Sequence, residues 1–585
     1  MVSGSAAPPP PHRASLLSFP FDNAAAQLAV ARSMPSRRYA AVSPTGVWGV
    51  WGHEGLAVFY DAAYCERDPT KWPLTPLGLV QTVWGTAKDP PPPASTRGGC
   101  CPAGGRGAAL AAVEYGLPPL DGAEHRARKQ VFHAAMRPGL VLDAVRTVVR
   151  RELRGVAERV RGGEPVALAD EAFTLVAHLT CEAFFGLPVC RGEAVQLGRA
   201  LDANFSTFDD IARSLRFGAA GGAARLGHER IFGFMARALS HARAAGADAA
   251  EEGEPTSLLA SYLRELGPTR LPDTALLADL YHVFNGGYAF ARCLPQLAYA
   301  LHAMPRAREA LRREAAIAEQ QEHGGAPGAA ARALAHETLR YFNGVQLVFG
   351  AATVDIPESA FASEGARAAA ADGGGGGDRV AIPRGDFLAA FLYATCRGSR
   401  HERPDVFWPG RWEAATVCGA EGSLEGFTPF GAGDWVENHR CGGERVAKEV
   451  MPLVALELAS AWSWQLARPA ERPVCWPLFA RWESGMPLVA HAPPASTDDT
   501  APPITSCPRC GVWGARALAL FLLLLVPALV GANGLLLLAA GALQLLLPLV
   551  LAILVLTSAM GLSHNDLFEK ILLLEWRAQP PRPPP

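Results

Sequence analysis

The sequence shows no strong excess of either charge and no regular spacing of cysteines. Only 19% of its 585 residues are charged and the formal net charge is −2, so nothing indicates a nucleic-acid surface or a polybasic membrane patch. The twelve cysteines follow no framework spacing, and no apolar signal sequence opens the chain. We therefore expect free thiols, a reducing compartment and no nucleic-acid partner.

A glycine-rich loop, FTPFGAGDWVENHRCGGERV, contains the chemically most informative residue, Cys441. Apolar residues follow it at helical spacing, at Val446, Val450 and Leu453, so the cysteine should lie just before a helix N-terminus. The helix dipole and unpaired backbone N–H groups favour a thiolate there, and a thiolate is a good ligand for iron. The glycines allow close approach to a flat cofactor. The alternative is a buried free cysteine in a glycine-rich turn.

This loop resembles the heme-ligand loop of the cytochrome P-450 superfamily, in which Phe-Gly-x-Gly precedes Cys-x-Gly. The first motif begins at Phe430, eleven residues before Cys441, a longer spacing than most members have. The lengthened loop and its Asn-His-Arg-Cys ending resemble the branch of allene oxide synthases and hydroperoxide lyases. Gly442 departs from the proline usual in that branch. The resemblance implies heme b with Cys441 as the iron ligand, and loop contacts to heme from Phe430, His439 and Gly443.

A second match lies in a basic segment that precedes apolar residues at helical spacing. Gly122, His125 and Lys129 fit a Gly-x-x-His-x-x-x-basic pattern, which in the superfamily supplies donors to the heme propionates. Cationic side chains suit carboxylates. Because the pattern is short, a solvated basic helix face is the alternative.

A third match is a Glu-x-x-Arg pair, Glu337 and Arg340, whose spacing puts both side chains on one helix face. The spacing alone is weak evidence, since Glu309 and Arg312 share it. The superfamily pair has a third partner in a Pro-x-Arg-aromatic motif, and Arg411 occupies that position here. The resemblance gives these three residues a structural role.

The segment from Leu271 to His302 predicts a long helix, kinked at its Gly-Gly pair and at Pro295. Oxygen-activating members carry an acid and a threonine in this helix, but no Asp, Glu, Ser or Thr stands between Leu280 and Pro295. Instead, Asn285 lies in a Phe-Asn-Gly-Gly segment that resembles the hydroperoxide-using branch. Its amide could hold a peroxide without supplying a proton. The alternative is an asparagine bonded to backbone carbonyls freed at a kink.

The two ends of the chain predict different appendages. Residues 1–44 are basic, with several Pro and Ala, and predict either a disordered leader or a transit peptide. After a linker at 491–514, residues 515–562 are almost entirely apolar and too long for one membrane span. A two-helix transmembrane hairpin is the first interpretation, and one span with an interfacial helix is the second. Residues 563–585 form a tail.

These observations predict a mainly α fold with small β-sheets over residues 45–490, the cytochrome P-450 fold, with short strands near Val47 to Tyr60. The resemblance implies rearrangement or cleavage of fatty-acid hydroperoxides without dioxygen or NADPH. A monooxygenase served by a reductase is the second hypothesis, and a membrane-anchored scaffold without heme is the third. We expect a membrane location, plastid or endoplasmic reticulum, through the C-terminal segment.

Overall fold

The computed structural model describes most of the predicted catalytic region, and the leader before residue 23 and everything after residue 489 lie outside the described residues. The described ranges are 23–43, 47–67, 121–214, 217–245, 254–267, 271–319, 327–362, 379–398, 400–412, 427–460, 464–468, 474–475, 480–482 and 484–489. The chain divides into two units at Ser506, and all described residues belong to the first. The predicted linker, transmembrane hairpin and tail therefore stay predictions.

Helices make up most of the described residues. They are α1 Asn23–Ser33, α2 Gly52–Tyr60, α3 Gly122–Ala135, α4 Leu142–Arg161, α5 Leu168–Leu179, α6 Arg191–Ser214, α7 Phe217–Ala244, α8 Leu258–Leu266, α9 Asp273–Ala303, α10 Pro305–Glu319, α11 Ala329–Phe342, α12 Leu392–Cys396 and α13 Glu444–Ser460. A π-helical turn, Thr180–Phe184, directly follows α5. Within the described residues, no helix is both long enough and apolar enough to span a bilayer.

The strands are short and form small sheets. They are β1 Tyr39–Ser43, β2 Val47–Val50, β3 Cys65–Glu66, β4 Val166–Ala167, β5 Leu347–Ala352, β6 Ile356–Pro357, β7 Val380–Ile382, β8 Phe387–Phe391, β9 Gln465–Leu466, β10 Val474–Cys475, β11 Ala480–Arg481 and β12 Pro487–Val489. The largest sheet has the order β1-β2-β8-β5-β3, with β2 and β8 parallel and the other pairs antiparallel. The predicted mainly α fold with small sheets is confirmed.

Helix α9 lies at the centre of the helical part and packs against α5, α6, α7, α11 and α13. It continues as one helix through Gly286, Gly287 and Pro295. Gly287 allows this packing, because a methyl group there would lie 2.8 Å from Val176 of α5. The large apolar core surrounds this helix, and a second apolar cluster covers the five-stranded sheet.

Two boundaries differ from the sequence expectation. Helix α1 and strand β1 fall within residues 1–44, and β1 pairs with β2, so the folded part of the chain includes residues before 45. The run LAVFY, expected to be a strand, belongs to helix α2. A five-residue apolar run has no period long enough to separate a strand from a buried helix, which accounts for this error. Residues 1–22 keep the leader prediction.

A buried ion pair fixes α3 against α9. Arg128 Nη2 donates to Asp279 Oδ1 over 2.6 Å, and Arg128 Nε donates to Oδ2 over 3.1 Å. The two side chains are only 5% and 0% exposed. Tyr262 of α8 donates its hydroxyl to the same carboxylate over 2.8 Å. Three helices therefore meet at one carboxylate, and this meeting point sets the register of α3 along α9.

Replacing Asp279 with alanine should strongly destabilise the domain, because it leaves the buried Arg128 guanidinium without its buried counter-charge and with only the exposed Glu124 carboxylate as a partner. Breaking a buried pair in this way costs about 3–5 kcal/mol of unfolding free energy. Denaturant unfolding followed by circular dichroism measures the change. The control is Asp143→Ala, which removes a carboxylate that is 92% exposed and 3.2 Å from Arg146. Little change is expected there, and equal losses in the two variants would contradict the role given to Asp279.

Candidate heme-thiolate site

The cysteine loop is closed by a backbone hydrogen bond from Cys441 N–H to Phe430 C=O over 2.8 Å. Helix α13 begins three residues later at Glu444, so Cys441 lies just before a helix N-terminus. The backbone N–H groups of Gly443 and Glu444 lie near its sulfur. Burial raises the pKa of this thiol, while these amides and Lys129 act in the opposite direction. The sulfur is thus surrounded by the donors that stabilise a thiolate.

The extra residues of the lengthened loop fold into a turn held by its own side chains. Asp434 Oδ1 accepts the backbone N–H groups of Val436 and Glu437 over 2.7 and 3.0 Å. Asn438 Oδ1 accepts the N–H of Asp434 over 2.6 Å, and Asn438 Nδ2 donates to the carbonyl of Tyr60 at the end of α2. The insertion is therefore absorbed between Gly433 and Asn438. It leaves the cysteine in contact with Phe430.

The outer side of the loop is fastened to α13 and α3. Arg440 makes a two-point ion pair with Glu444, with N–O distances of 2.8 and 3.0 Å. Its guanidinium also lies 4.1 Å from the ring centroid of Trp435, and His133 of α3 lies 5.2 Å from the same ring. These contacts restrict the residue next to the cysteine and so restrict the sulfur.

Helix α3 and the loop bring three predicted cofactor residues together. Lys129 Nζ donates to the carbonyl of Arg440 over 2.6 Å. The rings of His125 and His439 stack with their centroids 4.2 Å apart, and His439 Nε2 donates to Asp121 over 2.9 Å. His125 Nε2 is buried and has no hydrogen-bond partner among the described residues. A carboxylate is the group that this orphaned nitrogen and its cationic neighbour can bind.

The pKa values of this cluster have one common cause. Burial, together with the nearby His439 and Lys129, lowers the pKa of His125 to about 3. Burial lowers the pKa of His439 to about 4, and Asp121 opposes this only in part. Burial also lowers the pKa of Lys129 to about 8. Asp121 and Cys441 offset the effect of burial only in part, so the cluster is electrostatically suited to a further anion.

Glu337, Arg340 and Arg411 form one buried network. Arg340 donates two hydrogen bonds to the Glu337 carboxylate over 2.8 and 2.9 Å, and Arg411 donates a third over 3.0 Å. Two further donors were not found from the sequence, the Trp412 indole at 2.8 Å and the Trp408 backbone N–H at 2.7 Å. Trp408 and Trp412 flank Arg411 in the same turn, so this turn places all three donors at the Glu337 carboxylate. The network ties α11 to the segment that leads into the cysteine loop.

Asn285 lies on α9 beside an open face of that helix. His282, Gly286 and Ala289 are accessible although α9 is central, and a methyl group at Gly286 would meet nothing within 4 Å. Asn285 itself is 6% exposed, and its Oδ1 is buried without a hydrogen-bond partner among the described residues. The amide therefore has unused hydrogen-bonding capacity next to open space.

The residues present fit a heme bound by a thiolate. Cys441 is an accessible residue although protein atoms surround its thiol closely enough to raise its pKa, so open space adjoins it. A methyl group at Gly443 would have Cys441 Sγ as its nearest neighbour at 3.8 Å, whereas one at Gly442 would meet Phe132 at 2.6 Å. Gly443 thus adjoins the space beside the sulfur, and Gly442 packs on α3. Heme b suits this donor set, with one thiolate for iron and the N–H donors of Lys129, His125 and His439 for its carboxylates.

Similarity to solved structures identifies the fold. No protein-family model and no curated protein matches the chain. A variant of cytochrome P-450 OleT in complex with arachidonic acid has a TM-score of 0.56 and 19% identity, and the match covers 83% of this chain and 96% of that one. Cytochrome P-450SP alpha in complex with (R)-ibuprofen has a TM-score of 0.58 and 20% identity, covering 82% and 98%. The chain has the cytochrome P-450 fold.

Replacing Glu337 with glutamine should destabilise the domain severely. Glutamine lacks the negative charge that the Arg340 and Arg411 guanidinium groups share. Its amide NH2 group would also face their N–H donors, and the change should cost about 3–5 kcal/mol of unfolding free energy. Denaturant unfolding and the yield of soluble protein measure the effect. Glu309→Gln is the matched control, because Glu309 also has an arginine three residues on but is 57% exposed and 3.9 Å from it. If both variants unfold like the wild type, the network does not hold the fold.

Proposed function

We propose that the protein is a heme-thiolate enzyme that rearranges or cleaves fatty-acid hydroperoxides without dioxygen or NADPH. The observation that carries this proposal is the open face of α9. Between Leu280 and Pro295 the helix has no acid and no alcohol to relay protons, and Asn285 lies beside this face with an unused amide oxygen. A peroxide substrate already contains the O–O bond, so it needs no such relay.

Cys441 and Asn285 would have different roles, the first as the iron ligand and the second as a hydrogen-bonding partner of the peroxide. Heme held by the Cys441 thiolate would supply an electron-rich iron that favours cleavage of a peroxide O–O bond. The amide of Asn285 can donate a hydrogen bond to one peroxide oxygen and accept one from the O–H group. An amide gives up no proton at neutral pH. It can therefore hold the peroxide group without protonating its oxygens.

Two observations support a lipid as the substrate. One solved structure with this fold is described in complex with arachidonic acid. The accessible positions on α9 near Asn285 also include Val283, Ala289 and Phe290, which are apolar. An apolar face beside a single amide suits a long acyl chain that carries one polar peroxide group.

We also propose that residues 515–562 tether the enzyme to a membrane. The support is their apolar sequence and their length. A plastid and an endoplasmic-reticulum location are both compatible with this proposal.

Purified protein should consume linoleate or linolenate hydroperoxide in the absence of NADPH and of any reductase. The expected result is rapid loss of the conjugated-diene absorbance, followed by identification of the products by mass spectrometry. No turnover until NADPH and a reductase are added would instead establish a monooxygenase and overturn the proposal.

Replacing Asn285 with leucine should lower the hydroperoxide turnover number by about 100-fold, the usual effect of removing one hydrogen bond to a reacting oxygen. Heme content and the Soret band should stay the same, because the change leaves Cys441, the residue that would hold the iron, unaltered. Asn285→Gln keeps an amide and should recover part of the rate. Full activity in the leucine variant would exclude a catalytic amide.

Cys441→Ser should abolish heme retention or change the Soret spectrum, because an alcohol is a far weaker iron ligand than a thiolate. Absorbance at the Soret band relative to protein absorbance measures this. The control is Cys190→Ser, since Cys190 is an exposed free cysteine directly before α6. An unchanged spectrum in Cys441→Ser would refute the ligand assignment.

A further inference from the structure

The lengthened part of the cysteine loop carries a tryptophan, Trp435, that the sequence motifs do not single out. Its ring centroid lies 4.1 Å from the guanidinium carbon of Arg440 and 5.6 Å from that of Arg445. The ring of His133 on α3 lies 5.2 Å away, centroid to centroid. One indole therefore lies against the residue before the cysteine, the first turn of α13 and helix α3.

Arg440 is the residue through which the position of the cysteine is set. Its carbonyl accepts a hydrogen bond from Lys129 Nζ over 2.6 Å. The next residue, Cys441, donates its N–H to Phe430 C=O over 2.8 Å. This carbonyl and this N–H belong to one rigid peptide unit, so whatever holds Arg440 in place also holds the hydrogen bond that closes the loop.

The Arg440 guanidinium has two kinds of partner. One is the carboxylate of Glu444, which also pairs with Lys448 over 2.7 Å. The ion pair alone leaves Arg440 replaceable, because Lys448 can partner the carboxylate without it. The other partner is the face of Trp435, which restricts the orientation of the planar guanidinium as well as its position. This second restraint comes from the lengthened segment.

The turn that presents Trp435 is itself fixed to the rest of the protein. The residues on either side of it are joined by a hydrogen bond from Val436 N–H to Asp434 Oδ1 over 2.7 Å. Asn438 ties the same turn to the carbonyl of Tyr60 at the end of α2. The indole is thus anchored outside the loop, so it can restrain its arginine partner instead of moving with it.

We propose that Trp435 is a positioning residue for the thiolate, which holds Arg440 and so keeps the loop closed between Cys441 and Phe430. The lengthened segment then contributes a contact that stabilises the position of the iron ligand. The role in iron ligation rests on the proposed heme enzyme, whereas the role in loop closure does not.

Hydrogen exchange in cofactor-free protein measures loop closure directly. Trp435→Leu should speed exchange of the Cys441 amide roughly 3- to 10-fold, as expected for loss of one cation–π contact, because each opening of the loop exposes this N–H to water. Amides of α9 should exchange at wild-type rates. A general loss of stability would raise the rates in α9 as well, so the pattern separates positioning from a purely structural role.

In heme-loaded protein, Trp435→Leu should lose thiolate ligation more readily. The measurement is the fraction of the reduced carbon monoxide complex whose Soret band lies at the thiolate-type position, followed over time in dilute guanidinium chloride. The rate of loss should rise by the same factor. Trp435→Phe keeps a ring face and should restore part of both effects. An unchanged rate of loss in the leucine variant would refute the role in iron ligation.

Trp48→Leu is the matched control. Trp48 is also a partly buried tryptophan, and its indole N–H donates to Asp386 over 2.7 Å beside the five-stranded sheet. Neither measurement should change in this variant. Wild-type exchange of the Cys441 amide in Trp435→Leu would overturn the inference. Failure of the wild type itself to bind hemin would instead overturn the proposed function and leave the exchange result standing, so the two failures are distinguishable.

Discussion

The position of one sulfur atom depends on a loop that is closed at its base. The hydrogen bond from Cys441 N–H to the Phe430 carbonyl joins the two ends of the lengthened segment, and α13 starts immediately after it. The inserted residues therefore lengthen the loop without moving the cysteine away from Phe430. Asn438 makes this possible by bonding to both the turn and the end of α2. A longer loop is compatible with a thiolate in the usual place because the extra chain satisfies its own backbone donors.

Near that sulfur lie several hydrogen-bond donors that have few acceptors among the described residues. Lys129, His125 and His439 are all buried or nearly so, and burial lowers the pKa of each. Such an arrangement is costly unless an anion completes it. The same argument applies to the amide oxygen of Asn285, which is buried beside open space. His125 Nε2 and Asn285 Oδ1 are among the buried polar atoms without a partner in the described part of the chain, and a heme and its substrate would supply partners for both.

Sequence reasoning predicted the local features well and the long-range ones poorly. The place of Cys441 before a helix and the shared face of Glu337 and Arg340 follow from spacing along the chain, and both are seen. The indole of Trp412 on Glu337 and the stacking of His125 on His439 depend on how distant segments pack. No local pattern encodes such contacts. The helix over LAVFY was missed for the opposite reason, because its apolar run is too short to show a period.

The central claim is that a thiolate from this chain binds heme iron. The most direct measurement is the absorption spectrum of the purified, dithionite-reduced protein with and without carbon monoxide. A thiolate ligand predicts a Soret band shifted to much longer wavelength than that of a carbon monoxide complex with histidine ligation. A Soret band at the histidine-type position, or no heme absorbance after reconstitution with hemin, would contradict the account.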